Sequence, residues 1–158
     1  PPFFWVFTLL YMSFGIGSFY ALYSFGQWFC LGVLLALWAN DSFAYLIGSQ
    51  IGKTKVSRIS PNKSLEGYLG GFIFCILSAL LANHFLELKL SSVHGIVLGA
   101  LISVSAHLGD LVISKLKRMY QRKDSGRLIP GHGGIMDRID SLIFSIPFTY
   151  IYLQFVLP

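Results

Sequence analysis

Five long apolar runs constrain this sequence more than any other feature. A helix needs about 20 mostly apolar residues to cross the hydrocarbon core of a bilayer, and each run is close to that length. In chain order they are Phe3–Tyr23, Trp28–Gly48, Tyr68–Leu86, Val93–Ile113 and Ser141–Leu157. The sequence therefore predicts an all-α, polytopic membrane protein with about five transmembrane helices.

Composition supports the same class. The 158 residues are 54% hydrophobic and only 12% charged, whereas a soluble domain carries about 25% charged residues. We expect one membrane-embedded domain over residues 1–158. The first run lacks a small-residue cleavage site, so it does not predict a signal peptide. Cys30 and Cys75 both lie inside apolar runs, which predicts neither a disulfide nor a metal site.

The basic residues are concentrated in two polar segments, Ser49–Gly67 and Ser114–Asp140. All but one of the 12 lysines and arginines lie there, the exception being Lys89. Two predicted spans separate these segments, so both emerge on one side, and basic loops stay in the cytoplasm. This predicts a cytoplasmic amino end and an external carboxyl end. Contact with anionic lipid headgroups is the simplest explanation of such charge, but the residues among the cations favour a more specific site.

Four acids lie near the cytoplasmic ends of the predicted spans: Asp41, Asp110, Asp137 and Asp140. An acid at membrane depth is costly and is a functional hypothesis by default. Magnesium is held by one or two carboxylates together with substrate phosphate oxygens. The acids therefore favour a metal site, with internal salt bridges as the alternative. His107, one turn before Asp110, is expected to form hydrogen bonds between helices instead of binding metal.

A glycine-rich turn, Ile129–Gly134, precedes the fifth run. Its glycines let backbone N–H groups approach an anion closely, and it leads into a helix amino end, where the dipole favours phosphate. No Gly-Lys-Ser/Thr sequence follows, so it is not a Walker P-loop. Alone it would be a plain connector, but the cations beside it predict a site for phosphates and a metal ion.

A fixed polar pattern runs through Ser114–Asp140, of the form S-x-x-K-R, K-D, H-G-G and D-R-x-D. It resembles the pattern of the phosphatidate cytidylyltransferase family at matching spacings. A second stretch also resembles that family, although Ser42 stands where threonine is more usual. It comprises Trp38–Tyr45, Gly48, Gly52, Lys53, Ser60–Ser64, Glu66 and Gly67. The early spans of the family are missing, so we expect the chain to be the carboxyl-terminal part of a longer architecture.

The resemblance implies a reaction in which CTP and phosphatidic acid give CDP-diacylglycerol and pyrophosphate. It implies magnesium as cofactor, with a second metal ion left open. It also implies an active site at the cytoplasmic face, of the inner membrane in a bacterium. The expected partners are CTP, phosphatidic acid and membrane lipids, without nucleic acid, and a homodimer is left open.

The resemblance also assigns roles to individual residues. Those expected to bind the metal are Asp110, Asp137 and Asp140. Those expected to act in catalysis, chiefly by neutralising phosphates, are Lys117, Arg118, Lys123, Asp124, His132 and Arg138. Those expected to bind substrate are Asp41, Lys63, Ser114, Gly133 and Gly134. No general base is required, because the attacking phosphate is already ionised.

Two alternatives from other classes remain open. A CTP-dependent polyprenol or lipid kinase would share a cationic cytoplasmic site. A transporter of a phosphorylated substrate would place charges near the bilayer midplane on interrupted helices, whereas the charges here cluster at one face. A CDP-alcohol phosphotransferase is disfavoured, because Ser141 follows Asp140 where that family has glycine.

Overall fold

The computed structural model describes residues 2–57, 60–119 and 136–157. Five helices and one β-hairpin make up this part of the chain. They are α1 (Pro2–Tyr23), α2 (Gln27–Ile51), β1 (Lys55–Ser57), β2 (Ser60–Ser64), α3 (Leu65–Phe85), α4 (Ser92–Met119) and α5 (Met136–Val156). Each predicted apolar run coincides with one helix, so the all-α prediction is confirmed.

Three helices, α2, α3 and α4, are long and apolar enough to cross a membrane. Among the described residues α1 adds a shorter apolar stretch, Leu9–Tyr23. Large hydrophobic side chains on the outside of the bundle are exposed, including Leu10, Leu69 and Leu81. The chain is therefore a helical membrane protein, and the count of five spans stays a prediction.

The helices pack as a series of neighbours: α2 on α3, α3 on α4, α4 on α5, and α5 on α1. Small residues allow close approach at these contacts, as is usual in membrane bundles. A Cβ atom at Gly71 of α3 would stand 2.7 Å from the carbonyl oxygen of Asn40. A Cβ atom at Gly99 of α4 would stand 2.6 Å from the Cα of Ile76. Side chains cannot be added at these glycines without separating the helices.

The first polar segment is more ordered than the sequence predicted, because it forms the hairpin β1–β2. Ser64 caps α3 by accepting a hydrogen bond from the backbone N–H of Gly67 at 3.1 Å, which satisfies one free donor of the helix end. Glu66 accepts hydrogen bonds from the backbone N–H groups of Lys53 and Thr54, at 3.2 and 3.1 Å. These bonds fix the hairpin to the first turn of α3.

The second polar segment corrects the sequence analysis, which treated all of Ser114–Asp140 as a connection. Helix α4 continues to Met119, so Ser114, Lys117 and Arg118 lie on a helix, and α5 begins at Met136. Basic side chains in the last turn interact favourably with the helix dipole, and Lys117 and Arg118 occupy that turn. The glycine-rich turn lies outside the described residues.

Two further features lie inside the bundle. Cys30 and Cys75 are buried free thiols. His94 makes a 2.8 Å hydrogen bond between its Nδ1 and the hydroxyl of Tyr152, which joins α4 to α5. This hydrogen bond helps to hold α4 against α5.

Candidate active site

One end of the bundle gathers charged side chains from four elements. Lys63 of β2 forms an ion pair with Asp110 of α4. Asp140 of α5 and Asp41 of α2 also act electrostatically on the Lys63 amine. We call these four residues the acid–lysine cluster. Residues that are far apart in sequence thus meet at one place, where the Lys63 amine faces three carboxyl groups.

Ser141 connects two of the acids. Its backbone N–H donates to Asp140 Oδ1 at 2.7 Å, and its hydroxyl donates to Asp41 Oδ2 at 3.4 Å. Asp140 is buried, whereas Asp41 is exposed. The cluster is therefore anchored in the bundle on its α5 side and lies at the surface of the bundle on its α2 side. The sequence analysis missed Ser141, and its position next to Asp140 was the one available signal.

Further contacts hold the remaining sides of the cluster. The Tyr11 hydroxyl of α1 donates to the backbone carbonyl of Asp140 at 2.9 Å. The Ser114 hydroxyl lies 3.5 Å from Asp110 Oδ1, one turn away on α4. Helix α1 thus supports the site from outside, and Ser114 lies beside the acid that pairs with Lys63.

The electrostatics of Lys63 follow from its surroundings. Burial lowers the pKa of its amine to about 8, Asp140 and Asp41 raise that pKa in opposition, and Lys117 lowers it. At neutral pH the amine is therefore mainly protonated. A charge held with little water around it interacts strongly with its neighbours. Such an amine can neutralise a phosphate as well as a carboxylate.

A polar chain behind Asp41 fixes that residue within the bundle. Asn40 is fully buried and donates from Nδ2 to Asp41 Oδ1 at 3.0 Å. The Ser103 hydroxyl of α4 donates to Asn40 Oδ1 at 2.6 Å and lies 3.4 Å from His107 Nε2. The His107 ring stacks on the Tyr68 ring of α3, with centroids 3.9 Å apart. His107 thus contacts α3 through its ring stack on Tyr68, while its hydrogen bond to Ser103 lies within α4. Asn40 and Ser103 were missed.

The structure brings together part of the predicted site. The predicted residues that lie in or beside the cluster are Asp41, Lys63, Asp110, Ser114, Lys117 and Asp140. Arg118 is exposed on the last turn of α4. Residues 123, 124 and 132–134 lie outside the described part, and so do the side chains of Asp137 and Arg138. The roles assigned to all of them stay predictions.

The donor chemistry fits a hard cation. Magnesium prefers oxygen ligands, carboxylates among them. The cluster offers three carboxylates, and the hydroxyls of Ser114 and Ser141 lie beside two of them. Among the side chains that the structure describes, no three His, Cys, Asp or Glu form a metal-binding group. A complete ligand set would thus need groups beyond these, such as Asp137 or substrate oxygens.

Comparison with known proteins bears on these observations directly. A family model described as the cytidylyltransferase family matches residues 2–156, almost the whole chain. The chain belongs to the cytidylyltransferase family. The resemblance found in the motifs is thereby confirmed.

Individual members of the cytidylyltransferase family are similar over most of this chain. The phosphatidate cytidylyltransferase of Thermotoga maritima is 41% identical over 154 residues, which cover 93% of this chain and 57% of the relative. That of Bacillus subtilis is 40% identical over 130 residues, covering 82% and 48%. That of Synechocystis sp. is 43% identical over 122 residues, covering 77% and 42%. The chain thus spans about half the length of these relatives.

Proposed function

We propose that this chain carries the catalytic core of a phosphatidate cytidylyltransferase, which transfers a cytidylyl group from CTP to phosphatidic acid. The observation that carries the proposal is the acid–lysine cluster, where Lys63 meets Asp41, Asp110 and Asp140 at one end of a membrane bundle. The names of the relatives support the same reaction.

The reaction requires charge stabilisation more than proton transfer. A phosphatidate oxygen attacks the α-phosphorus of CTP, and the bond from that phosphorus to the oxygen bridging to the β-phosphorus breaks. The electron pair of that bond leaves with pyrophosphate. Fixed cations aimed at the phosphates stabilise the developing charge. Lys63 is positioned for this because it is partly buried, and Lys117 lies near enough to affect its pKa.

We include magnesium in the proposal. The residues that would hold it are Asp110, Asp140 and Asp137. When bound, it would supply positive charge to the triphosphate and the leaving pyrophosphate. The ion pair between Lys63 and Asp110 is the alternative that the sequence left open, so magnesium would have to replace the Lys63 amine at that carboxylate. Lys63 would then be free to pair with a substrate phosphate.

The proposed location is the cytoplasmic face, of the inner membrane in a bacterium. Basic residues on the hairpin and at the end of α4 support this orientation. CTP is soluble, whereas phosphatidic acid and its product stay in the leaflet. A site at the helix ends, with Asp41 exposed and Asp140 buried, can meet both substrates.

The direct test supplies the complete natural protein, purified in detergent, with labelled CTP, phosphatidic acid and magnesium. We expect labelled CDP-diacylglycerol and stoichiometric pyrophosphate. A kinase would give CDP and a phosphorylated lipid instead, so the nucleotide product separates the two classes. If neither product formed with phosphatidic acid, the proposed function would be wrong.

The metal assignment has a narrower test with a matched control. In Asp110→Asn the carboxylate is lost, so we expect half-maximal activity to need about tenfold more magnesium. Glu87→Gln, in the connection between α3 and α4, should keep the normal requirement. An unchanged magnesium requirement in Asp110→Asn would remove that residue from the ligand set.

A further inference from the structure

An open apolar cavity of about 350 Å³ lies between α1, α2 and α5. Its walls include Ile16 and Phe19 of α1, Leu34 of α2, and Leu142, Ile143 and Ile146 of α5. All these side chains are apolar, so the cavity suits a hydrocarbon ligand. None of the four residues of the acid–lysine cluster lines this cavity.

The cavity lies directly on the membrane side of the acid–lysine cluster. Ile143 and Ile146 follow Asp140 by three and six residues, which is about 4.5 to 9 Å along α5 at 1.5 Å per residue. Leu34 precedes Asp41 by seven residues, or about 10 Å along α2. Two helices thus place the cavity at a similar depth below the charged groups. A ligand with its phosphate at the cluster would have its glycerol and first methylenes at this depth.

The local structure of α1 and α5 frames the cavity. Helix α1 is tied to α5 by the hydrogen bond from Tyr11 to the Asp140 carbonyl, and one turn further Gly15 packs tightly against Ile143. Pro147 has no N–H to donate to the Ile143 carbonyl. The wall next to the cavity therefore lacks one helical hydrogen bond.

We propose that this cavity receives an acyl chain of the phosphatidate whose phosphate lies at the acid–lysine cluster. The inference rests on the proposed function and names the lipid-binding part of the same site. Continuity with the cluster along α2 and α5 favours a lipid over a further helix.

The cavity would act by orienting the lipid, and not by removing its acyl chain from water. An acyl chain is already surrounded by hydrocarbon in the bilayer, so moving it into an apolar cavity gains little from leaving water. Contacts along the chain instead restrict the orientation of the headgroup, which favours attack on CTP. Filling the cavity should therefore harm long-chain substrates much more than short-chain ones.

The first experiment fills the cavity with Leu34→Trp. Leu34 is half-buried and lines the cavity, whereas its neighbour Leu35 is 39% exposed and does not line it, so Leu35→Trp is the control. In the complete natural protein we expect the KM for dipalmitoyl phosphatidate to rise about tenfold in Leu34→Trp. The KM values for dihexanoyl phosphatidate and CTP should stay unchanged. Equal effects on both lipids, or none, would overturn the proposal.

The second experiment detects the chain without requiring turnover. Phosphatidate with a diazirine in the middle of one acyl chain is photolysed with the protein, and the labelled peptides are identified by mass spectrometry. We expect adducts on α1, α2 and α5, reduced in Leu34→Trp and retained in Leu35→Trp. Adducts on other helices, on another segment of the protein or on a second copy, or adducts unaffected by Leu34→Trp, would overturn the proposal. If wild-type protein made no CDP-diacylglycerol, the proposed function would fail, while this labelling would still decide the cavity.

Discussion

Carboxylates placed near one another repel, and Lys63 counters that repulsion. Asp41, Asp110 and Asp140 come from three helices, and Lys63 reaches them from the hairpin between α2 and α3. Removing one partner of a partly buried ion pair leaves the other charge uncompensated. The Lys63 side chain is only 22% exposed, so its replacement should be far more disruptive than replacement of a surface lysine.

Lys63→Met tests this role. We expect kcat/KM to fall about 100-fold, since one cation aimed at the developing charge is lost. Lys55→Met changes an exposed lysine on the same hairpin and should retain activity within a few-fold. Thermal unfolding of both variants in detergent separates a loss of chemistry from a loss of fold. Activity of Lys63→Met above one tenth of wild type would contradict the role.

The polar chain behind Asp41 can be tested with two serines on α4. Ser103→Ala removes the donor to Asn40 Oδ1, and we expect a loss of about 1 kcal/mol of stability together with reduced turnover. Among the described residues, Ser105 donates to two carbonyls of its own helix, those of Leu101 and Ile102, so Ser105→Ala should change little. Thermal unfolding and kcat are the measurements. Indistinguishable variants would show that this interhelical bond does not matter.

At the scale of elements, hydropathy located the helices well only where they are apolar. The ends of α1, α2 and α3 fall within a few residues of the predicted runs, whereas α4 extends six residues beyond Ile113 to Met119. That extension contains Lys115, Lys117 and Arg118, which favour helix but contribute nothing to an apolar signal. Element ends in polar sequence therefore escaped prediction.

The hairpin escaped prediction for a different reason. Its strands, Lys55–Ser57 and Ser60–Ser64, lack the apolar–polar alternation that marks a half-buried strand. The structure holds them by contacts to α3, including the bonds from Lys53 and Thr54 to Glu66 and from Leu65 N–H to the Thr54 carbonyl at 2.8 Å. Such contacts are tertiary, so local sequence does not reveal them.

Close packing of α2 on α3 gives a prediction at this scale. In Gly71→Ala the new methyl group would lie 2.7 Å from the Asn40 carbonyl oxygen, so the helices must separate at a cost of about 1 to 3 kcal/mol. In Gly17→Ala, on α1, a Cβ atom would meet no atom within 4 Å, and stability should be retained. The unfolding midpoint in detergent measures both. Equal midpoints would show that the α2–α3 contact can relax.

At the scale of the whole molecule, the sequence predicted the members of the acid–lysine cluster more accurately than the contacts between them. Asp41, Lys63, Asp110 and Asp140 were all expected at one face, because basic loops and span counting placed them there. The individual contacts depend on how each helix is rotated and how deep it lies in the membrane. They are the ion pair of Lys63 with Asp110 and the hydrogen bonds that Ser141 and Asn40 donate to Asp41. Hydropathy carries no information on that rotation or depth.

The orientation itself is testable with two isosteric changes. Ser49 near the end of α2 and Ser92 at the start of α4 are both exposed, while the native Cys30 and Cys75 are buried. A membrane-impermeant maleimide applied to intact spheroplasts should label Ser92→Cys. It should label Ser49→Cys only after permeabilisation, and unsubstituted protein gives the background. The reverse pattern would invert the proposed orientation.

The wide separation of the cluster residues along the chain has a consequence for biosynthesis. Asp41 and Lys63 leave the ribosome well before Asp110, and Asp140 follows last of all. A nascent chain inserted as far as α3 therefore contains the lysine without the two acids that α4 and α5 supply. The cluster is assembled only when α5 has entered the membrane, so a chain released before α5 contains no complete cluster.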